Sequence, residues 1–276
     1  DYPVDWSLIF ILALAGTSYF LVLYFFKKSR RQIQISKALL KEKAAVTERA
    51  LQSSHESLEQ LVHVAAHDLK APLRSIIGFS QLIEKEHKHQ LDATGQEYFK
   101  FIFDSGKRMN RLIDDLLTYS QATSQTAIRE RVDLNDILDE VKVDLTQMIQ
   151  STNTRIQYGE LPIIRGHKVA LRQLFQNLLQ NSIKYKSDKS PEIKISCADF
   201  EDAVEIALSD NGKGIPENAY EKIFNLFYRQ DPSNTKPSGT GMGLAICKVI
   251  MEKMDGKIRV SSEIGKGSTF FLTFPK

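Results

Sequence analysis

His67-Asp68-Leu69-Lys70-Ala71-Pro72-Leu73 sits in the middle of a long helical pattern, and its reading decides how the first half of the chain is built. Around it runs a stripe, Val62, Ala65, Leu69, Leu73, Ile76, Ile77, Ser80 and Ile83, at the three- and four-residue spacing of an amphipathic helix. By that phase His67 and Asp68 fall outside the stripe and face solvent. Pro72 follows within two turns; it removes one backbone donor and permits a kink. A carboxylate beside an exposed imidazole can hold one ring nitrogen as N–H and leave the other with its lone pair outward, as a nucleophile needs. His63 and His67 also stand at i, i+4, the spacing of two helical metal ligands, but no third ligand lies nearby in sequence.

Downstream the stripe breaks at the polar stretch 84–90, and a second helical pattern starts at Asp92, an N-cap by residue type. It runs through Phe99, Ile102, Met109, Leu112, Ile113, Leu116 and Leu117 to about Ser120. Two such helices joined by a short turn make an αα-hairpin with more apolar surface than one hairpin hides, which a dimeric four-helix bundle would bury. Upstream, residues 32–60 contain no proline or glycine, and Leu40, Ala44, Thr47, Leu51, Ser54, Leu58, Leu61 and Ala65 follow a weak heptad seam, read as a parallel coiled-coil linker. Farther back, residues 6–26 carry no charge and are long enough to cross a bilayer. Lys27, Lys28, Arg30 and Arg31 follow this run and Asp1 and Asp5 precede it, so the positive-inside rule puts the remainder in the cytoplasm. The first residue is not methionine, and an upstream input domain is expected.

After the polar hinge at 121–130 the pattern mixes helices with strand-like runs at 193–197, 204–209, 257–261 and 269–274, an α+β domain. Asn177-Leu178-Leu179-Gln180-Asn181-Ser182-Ile183-Lys184-Tyr185 places Asn177, Asn181 and Lys184 on one helical face. Hard amide oxygens with an ammonium suit a Mg²⁺–phosphate group, although a plain polar helix face has the same pattern. Asp210-Asn211-Gly212-Lys213-Gly214-Ile215-Pro216 closes a strand-like run; the carboxylate can accept from an adenine amine but would oppose a guanine carbonyl, and read alone it is also a turn. Gly239-Thr240-Gly241-Met242-Gly243-Leu244 feeds the helical stretch 245–254, offering backbone N–H groups to phosphates. Between these clusters Phe224-Asn225-Leu226-Phe227-Tyr228-Arg229 leads into a polar, proline-containing stretch, 230–238, that reads as a lid.

Composition excludes several classes. A formal net charge of +3, with acidic residues interspersed among the basic ones, gives no nucleic-acid patch. Cys197 and Cys247 have neither a CxxC spacing nor a histidine partner, so a disulfide framework or structural zinc has no support.

In this order the segments resemble the signature boxes of bacterial-type sensor histidine kinases. Residues 66–73 resemble the H box, 177–185 the N box, 210–216 the first glycine box, 224–229 the F box, 239–244 the second glycine box and 265–270 the last glycine-rich turn. The resemblance implies a dimerisation and phosphotransfer bundle followed by a Bergerat-type ATP-binding sandwich. The resemblance runs from about residue 61 to 274; with the uncharged run and heptad seam upstream, the chain divides into 1–31 (transmembrane helix and basic flank), 32–60 (coiled-coil linker), 61–124 (phosphotransfer) and 125–276 (ATP-binding). The resemblance makes His67 the phospho-acceptor with Asp68 as its orienting base, and Arg229 the group that stabilises the transferring phosphoryl. Asn181 becomes the Mg²⁺ ligand, with Asn177 alongside. Lys184, Tyr185, Asp210, Gly212, Gly214, Gly239, Thr240, Gly241, Gly243 and Leu244 form the ATP contact set.

The implied partners are a second copy of the chain, the receiver domain of a separate response regulator, and the bacterial inner membrane. Two other readings use the same fold: a non-catalytic ATP-binding scaffold, and a motor of the gyrase or chaperone type. The intact His67, Asn181 and Asp210 oppose the first, and the His67-Asp68 hairpin has no role in the second. One departure stands out. Many relatives carry Thr or Asn four residues after the acceptor histidine, where a partner's phospho-aspartate is hydrolysed, and this chain has Ala71.

Overall fold

The computed structural model describes residues 6–124, 129–230 and 239–276, and within residues 6–60 only some side chains. Two units emerge, residues 1–58 and residues 59–276. The first is helical throughout its described part, within helix α1 (Trp6–His87). Among the described residues no helix is long and apolar enough to cross a membrane; the expected span at 6–26 falls almost wholly on residues whose side chains lie outside the described ones. Most of the heptad positions lie outside them too. Thr47 is described, and its Oγ1 donates to the Lys43 carbonyl at 2.9 Å.

The second unit begins with the hairpin. α1 runs unbroken through Pro72 to His87, a short 3₁₀ turn covers Lys88–Gln90, and α2 spans Ala93–Ser124. Asp92 caps α2 as its residue type suggested: Oδ1 accepts from Gly95 N at 2.7 Å. The hairpin's own core is small, with Ala66, Leu73 and Ile113 buried and Ile77 and Leu117 packed against them. Gly106 lets the helices approach here, since a Cβ at that position would stand 2.9 Å from Ile77. The inward stripe therefore carries Ala66 where the sequence pattern placed Ala65. Leu69 and Ile76, assigned to the same stripe, are 54% and 49% exposed on another face.

The α+β domain is built on a five-stranded sheet in the order β2-β4-β5-β7-β6. Its strands are β2 (Arg155–Tyr158), β4 (Glu192–Asp199), β5 (Ala203–Asp210), β6 (Lys257–Glu263) and β7 (Gly267–Pro275). β2 runs parallel to β4, and the remaining pairs are antiparallel. A separate ribbon pairs β1 (Glu130–Asp133) with β3 (Ile163–Gly166). The sheet residues Ile193, Ile195, Ile206, Leu208, Phe270, Leu272 and Phe274 are spaced by two and all buried, so one face of the sheet is the core face.

Against that face lie α3 (Leu134–Asp144), α5 (Lys168–Lys184) and α6 (Gly243–Lys253), joined by short α4 (Thr146–Thr152). α5 supplies Leu171, Leu174, Phe175, Leu178 and Leu179, all fully buried. Each such side chain contributes about 1.5–3 kcal/mol relative to exposure. The opposite face is polar: Arg259 lies over the Phe271 ring at 3.6 Å and bonds Glu205 at 3.1 Å. A helical hairpin followed by a two-layer α/β domain is the fold the sequence pattern indicated.

Candidate nucleotide and phospho-acceptor sites

Two clefts open where the C-terminal half of α5, the end of β5 and the start of α6 converge. One, of about 460 Å³, is lined by Asn181, Ser182, Tyr185, Asp210, Gly214, Ile215, Phe270 and neighbours. The other, of about 530 Å³, is lined by Asn177, Asn181, Lys184, Gly239, Thr240, Gly241, Gly243 and Leu244, with Arg111, Asp114 and Asp115 of α2 on its far wall. Asn181, Ile223 and Tyr228 belong to both, so the clefts are contiguous. The first has an apolar floor with one carboxylate, which suits a purine; the second collects cations and backbone N–H groups, which suits phosphates.

Asp210 is held rigidly. Its Oδ1 accepts from Gly212 N at 2.8 Å and Ser268 N at 3.2 Å, and its Oδ2 from Ser182 Oγ at 3.1 Å. Burial pushes its carboxyl above the ordinary value of 3.8, and the bonds from Gly212, Ser182 and Ser268 pull the other way. Oδ2 keeps capacity for one more donor, which an exocyclic amine can supply. Ser182 and Ser268, which fix this geometry, were not singled out in sequence. Ser182 is the buried neighbour of Asn181, and Ser268 sits in a turn whose visible signal was its glycines.

The glycine clusters fold tightly around this floor. Gly214 has φ +77° and packs on the Glu263 carbonyl, and Gly241 has φ +79° with the Tyr228 carbonyl 2.7 Å from where a Cβ would stand. Both positions need glycine for conformation and for space. At Gly212 a Cβ would stand 2.7 Å from the Tyr185 carbonyl. Lys184 lies against Gly239 and donates from Nζ to Tyr185 Oη at 3.2 Å.

The two asparagines have different surroundings. Asn177 Oδ1 accepts from Gln173 Nε2 at 3.1 Å, and its Nδ2 donates to the Gly243 carbonyl at 3.2 Å, pinning the start of α6 to α5. Asn181 stands at the junction of the clefts. Among the described residues no group of three or more His, Cys, Asp or Glu could hold a metal. Asn181 offers an amide oxygen at this junction, a hard donor of the kind a cation shared with phosphate oxygens takes. Both cysteines are free; Cys247 is buried in the core, and burial pushes its thiol up to about 12.

His67 projects from α1, 76% exposed, with Nδ1 3.2 Å from Asp68 Oδ1. A proton on Nδ1 shared with Asp68 leaves the lone pair on Nε2, facing solvent. Three residues on, Lys70 Nζ meets Asp114 Oδ1 of α2 at 2.5 Å. His67 lines neither cleft, and neither does Arg229, which is half-buried beside Tyr228. Ala71 is exposed one turn after His67.

Comparison with known proteins finds two domain types in series. Residues 38–125 match the His Kinase A (phospho-acceptor) domain, and residues 166–276 match the histidine kinase-, DNA gyrase B- and HSP90-like ATPase. Phytochrome-like protein Cph1 of Synechocystis sp. is 37% identical over 85% of this chain and 31% of its own length. Sensor protein SrrB of Staphylococcus aureus is 29% identical over 86% of this chain and 42% of its own. The chain thus spans less than half the length of these curated relatives. Among solved structures, full-length ShkA in complex with AMPPNP has a TM-score of 0.60 at 23% identity, covering 78% of this chain and 45% of that one, a likeness of fold. Histidine kinase ThkA in complex with the response regulator protein TrrA has a TM-score of 0.53 at 25% identity, covering 79% of this chain and 61% of that one. With a phospho-acceptor hairpin and a histidine kinase-type ATPase domain in series, the chain belongs to the sensor histidine kinases.

Proposed function

We propose that the chain is an ATP-dependent protein-histidine kinase that phosphorylates His67 and passes the phosphoryl group to an aspartate of a separate response regulator. The observation that carries this reading is the exposed His67–Asp68 pair, 3.2 Å apart, on the same polypeptide as a base-sized cleft floored by Asp210. Nε2 attacks the γ-phosphorus of ATP, the bond from that phosphorus to the β–γ bridging oxygen breaks, and ADP leaves. Asp68 keeps the proton on Nδ1 and offsets the positive charge the ring acquires. Asp210 orients the base, Tyr185 lies beside the nucleoside, Lys184 neutralises phosphate charge, and Arg229 stabilises the transferring group once acceptor and nucleotide meet. Mg²⁺, bound through Asn181, supplies further charge neutralisation. Backbone at Gly212, Gly214, Gly239, Gly241 and Gly243, with Thr240 and Leu244, forms the cradle; Asn177 supports it by pinning Gly243.

The working form is a homodimer. Leu69, Ile76, Phe79 and Leu82 of α1 are all about half exposed or more, a face that a second hairpin would cover. Residues 6–26 form a membrane span, with the basic flank and everything after it in the cytoplasm at the bacterial inner membrane. Ala71 offers a methyl where a hydroxyl or amide would hold a hydrolytic water, so phosphatase action on the regulator is feeble and the kinase direction dominates.

Incubation with γ-labelled ATP and Mg²⁺ tests the proposal. Label on the chain that is lost in acid and survives base is the expected result. Unlabelled chain with steady ATP turnover would instead identify an ATPase motor, and nucleotide binding with neither label nor turnover a scaffold.

A further inference from the structure

The far wall of the phosphate-type cleft is α2, and α2 reaches into it with a carboxylate. Asp115 accepts a hydrogen bond from Thr240 Oγ1, in the glycine-rich loop that leads into α6. Thr240 Oγ1 also accepts from Met242 N at 3.3 Å. A threonine hydroxyl has a single proton to give, and here it is given to Asp115. On either side of this bond the two elements are packed together: Leu116 and Tyr119 lie against the core of the ATPase domain, and α2 contacts α6.

We propose that Asp115 is a built-in competitor for the phosphate loop, so that nucleotide binding and docking of the ATPase domain on α2 exclude one another. This rests on reading the cleft as an ATP site. The carboxylate uses the donor, Thr240, that a phosphate oxygen would use, and it brings a negative charge to the cleft that Lys184 and Arg111 line. A triphosphate entering the cleft meets a like charge where it needs a hydroxyl, and has to displace it. Burial raises the Asp115 carboxyl above its ordinary value, with Asp114 adding to the rise while the Thr240 bond, Arg111 and Lys184 oppose it. The carboxylate is therefore held in a place that does not favour its charge. Displacement of Asp115 removes a polar tie between α2 and the loop, while Leu116, Tyr119 and Ala122 still pack against the core of the domain. Since His67 lines neither cleft, undocking is also the step that frees the domain to reach it. Nucleotide arrival and release toward the acceptor are then a single event.

The test uses the full chain in detergent, with AMP-PNP and Mg²⁺ as the probe, comparing wild type with Asp115→Ala and Asp115→Asn. Asp115→Ala is expected to bind about tenfold more tightly, the size of one charge-assisted hydrogen bond that no longer has to be exchanged. Hydrogen exchange along residues 112–122 should rise in the wild type on adding AMP-PNP, and should already be raised in Asp115→Ala without it. Asp115→Asn keeps an acceptor without the charge and should fall between, and it decides the matter if the alanine variant does not fold. Equal affinity in a folded variant, or wild-type exchange that nucleotide leaves unchanged, overturns the inference. Absence of AMP-PNP binding in every form overturns the ATP-site reading beneath it as well.

Discussion

The hairpin and the ATPase domain solve the same burial problem in opposite ways. The ATPase domain closes on itself: a sheet face and three helices share a continuous core in which Leu134, Ile137, Phe175, Leu178 and Ile206 have no exposure. The hairpin buries Ala66, Leu73 and Ile113 and leaves Leu69, Ile76, Phe79 and Phe101 in solvent. Burial therefore resides in one region and uncovered apolar surface in the other, and on the proposed function the nucleotide floor lies in the first and the acceptor on the second.

The largest effect is complete loss. His67→Gln should abolish phosphoprotein formation while nucleotide affinity, read by calorimetry, stays within about twofold, because the acceptor lines neither cleft. Label persisting on the variant would remove His67 from the reaction. Next in size is Leu178→Ala, at a fully buried position of α5. It should lower the stability of the ATPase domain by about 2–5 kcal/mol, seen in its thermal transition. Leu69→Asn, on the exposed face of the hairpin, should change stability by about 0.5 kcal/mol or less yet weaken self-association in sedimentation. A variant that sediments like wild type would show that this face is not the one a second copy covers.

Asp210→Asn separates binding from stability within the ATPase domain itself. An asparagine can keep the local network, its oxygen accepting from Gly212 N and Ser268 N and its amide donating to Ser182 Oγ, but it opposes the adenine amine with a donor. Nucleotide affinity should fall by about 1.5–3 kcal/mol, the worth of a charge-assisted bond. Stability should move the other way. The folded carboxyl is raised above 3.8, mainly by burial, so its ionisation costs stability as pH rises through the unfolded value, and that cost is complete above the folded one. At pH 7 the variant should melt higher than wild type, and below pH 3.8 the difference should vanish. A lower melting temperature at pH 7 would mean that the bonds around Asp210 outweigh its desolvation.

The same contrast explains what the sequence made legible. Elements with long, strongly periodic patterns were readable: both hairpin helices, the cap at Asp92, the runs that became β4, β5, β6 and β7, and the helix after Gly243. β1, β2 and β3 have four residues each and pair with strands far away in sequence, so no local period marks them. α3, whose N-cap Asp133 accepts from Asn135 N at 2.8 Å, was also not singled out. Within the site, residues with distinctive chemistry were visible while those that orient them were not. Ser182 and Ser268 hold Asp210, and Asn177 holds Gly243, through contacts that only the fold creates. The bond between Asp115 and Thr240 joins residues 125 positions apart, and nothing in either local pattern announces it. The stripe that read Ala65 for Ala66 shows a related limit: a helix with two apolar faces gives a period, but not which face turns inward.

The smallest effect concerns the turn that joins the two hairpin helices. Asp92 Oδ1 accepts from Gly95 N at 2.7 Å, and the Asp92 carbonyl accepts from Gln96 N at 3.0 Å, so the side chain satisfies one of the amides that the first turn of α2 leaves without a helical partner. Gln96 Nε2 then reaches back to the carbonyls of Lys88 and Leu91, both at 3.1 Å, which fixes the angle at which the 3₁₀ turn enters α2. Asp92→Ala removes the cap and should cost about 0.5–2 kcal/mol, whereas Asp92→Asn keeps an acceptor and should cost only a few tenths. The loss belongs to the hairpin alone. Hydrogen exchange at the first turn of α2 should quicken while the thermal transition of the ATPase domain and its affinity for AMP-PNP stay as they were. Were Asp92→Ala to shift the ATPase transition as well, the hairpin and the ATPase domain would be unfolding as one cooperative body, and the assignment of the loss to the hairpin alone would have to be given up.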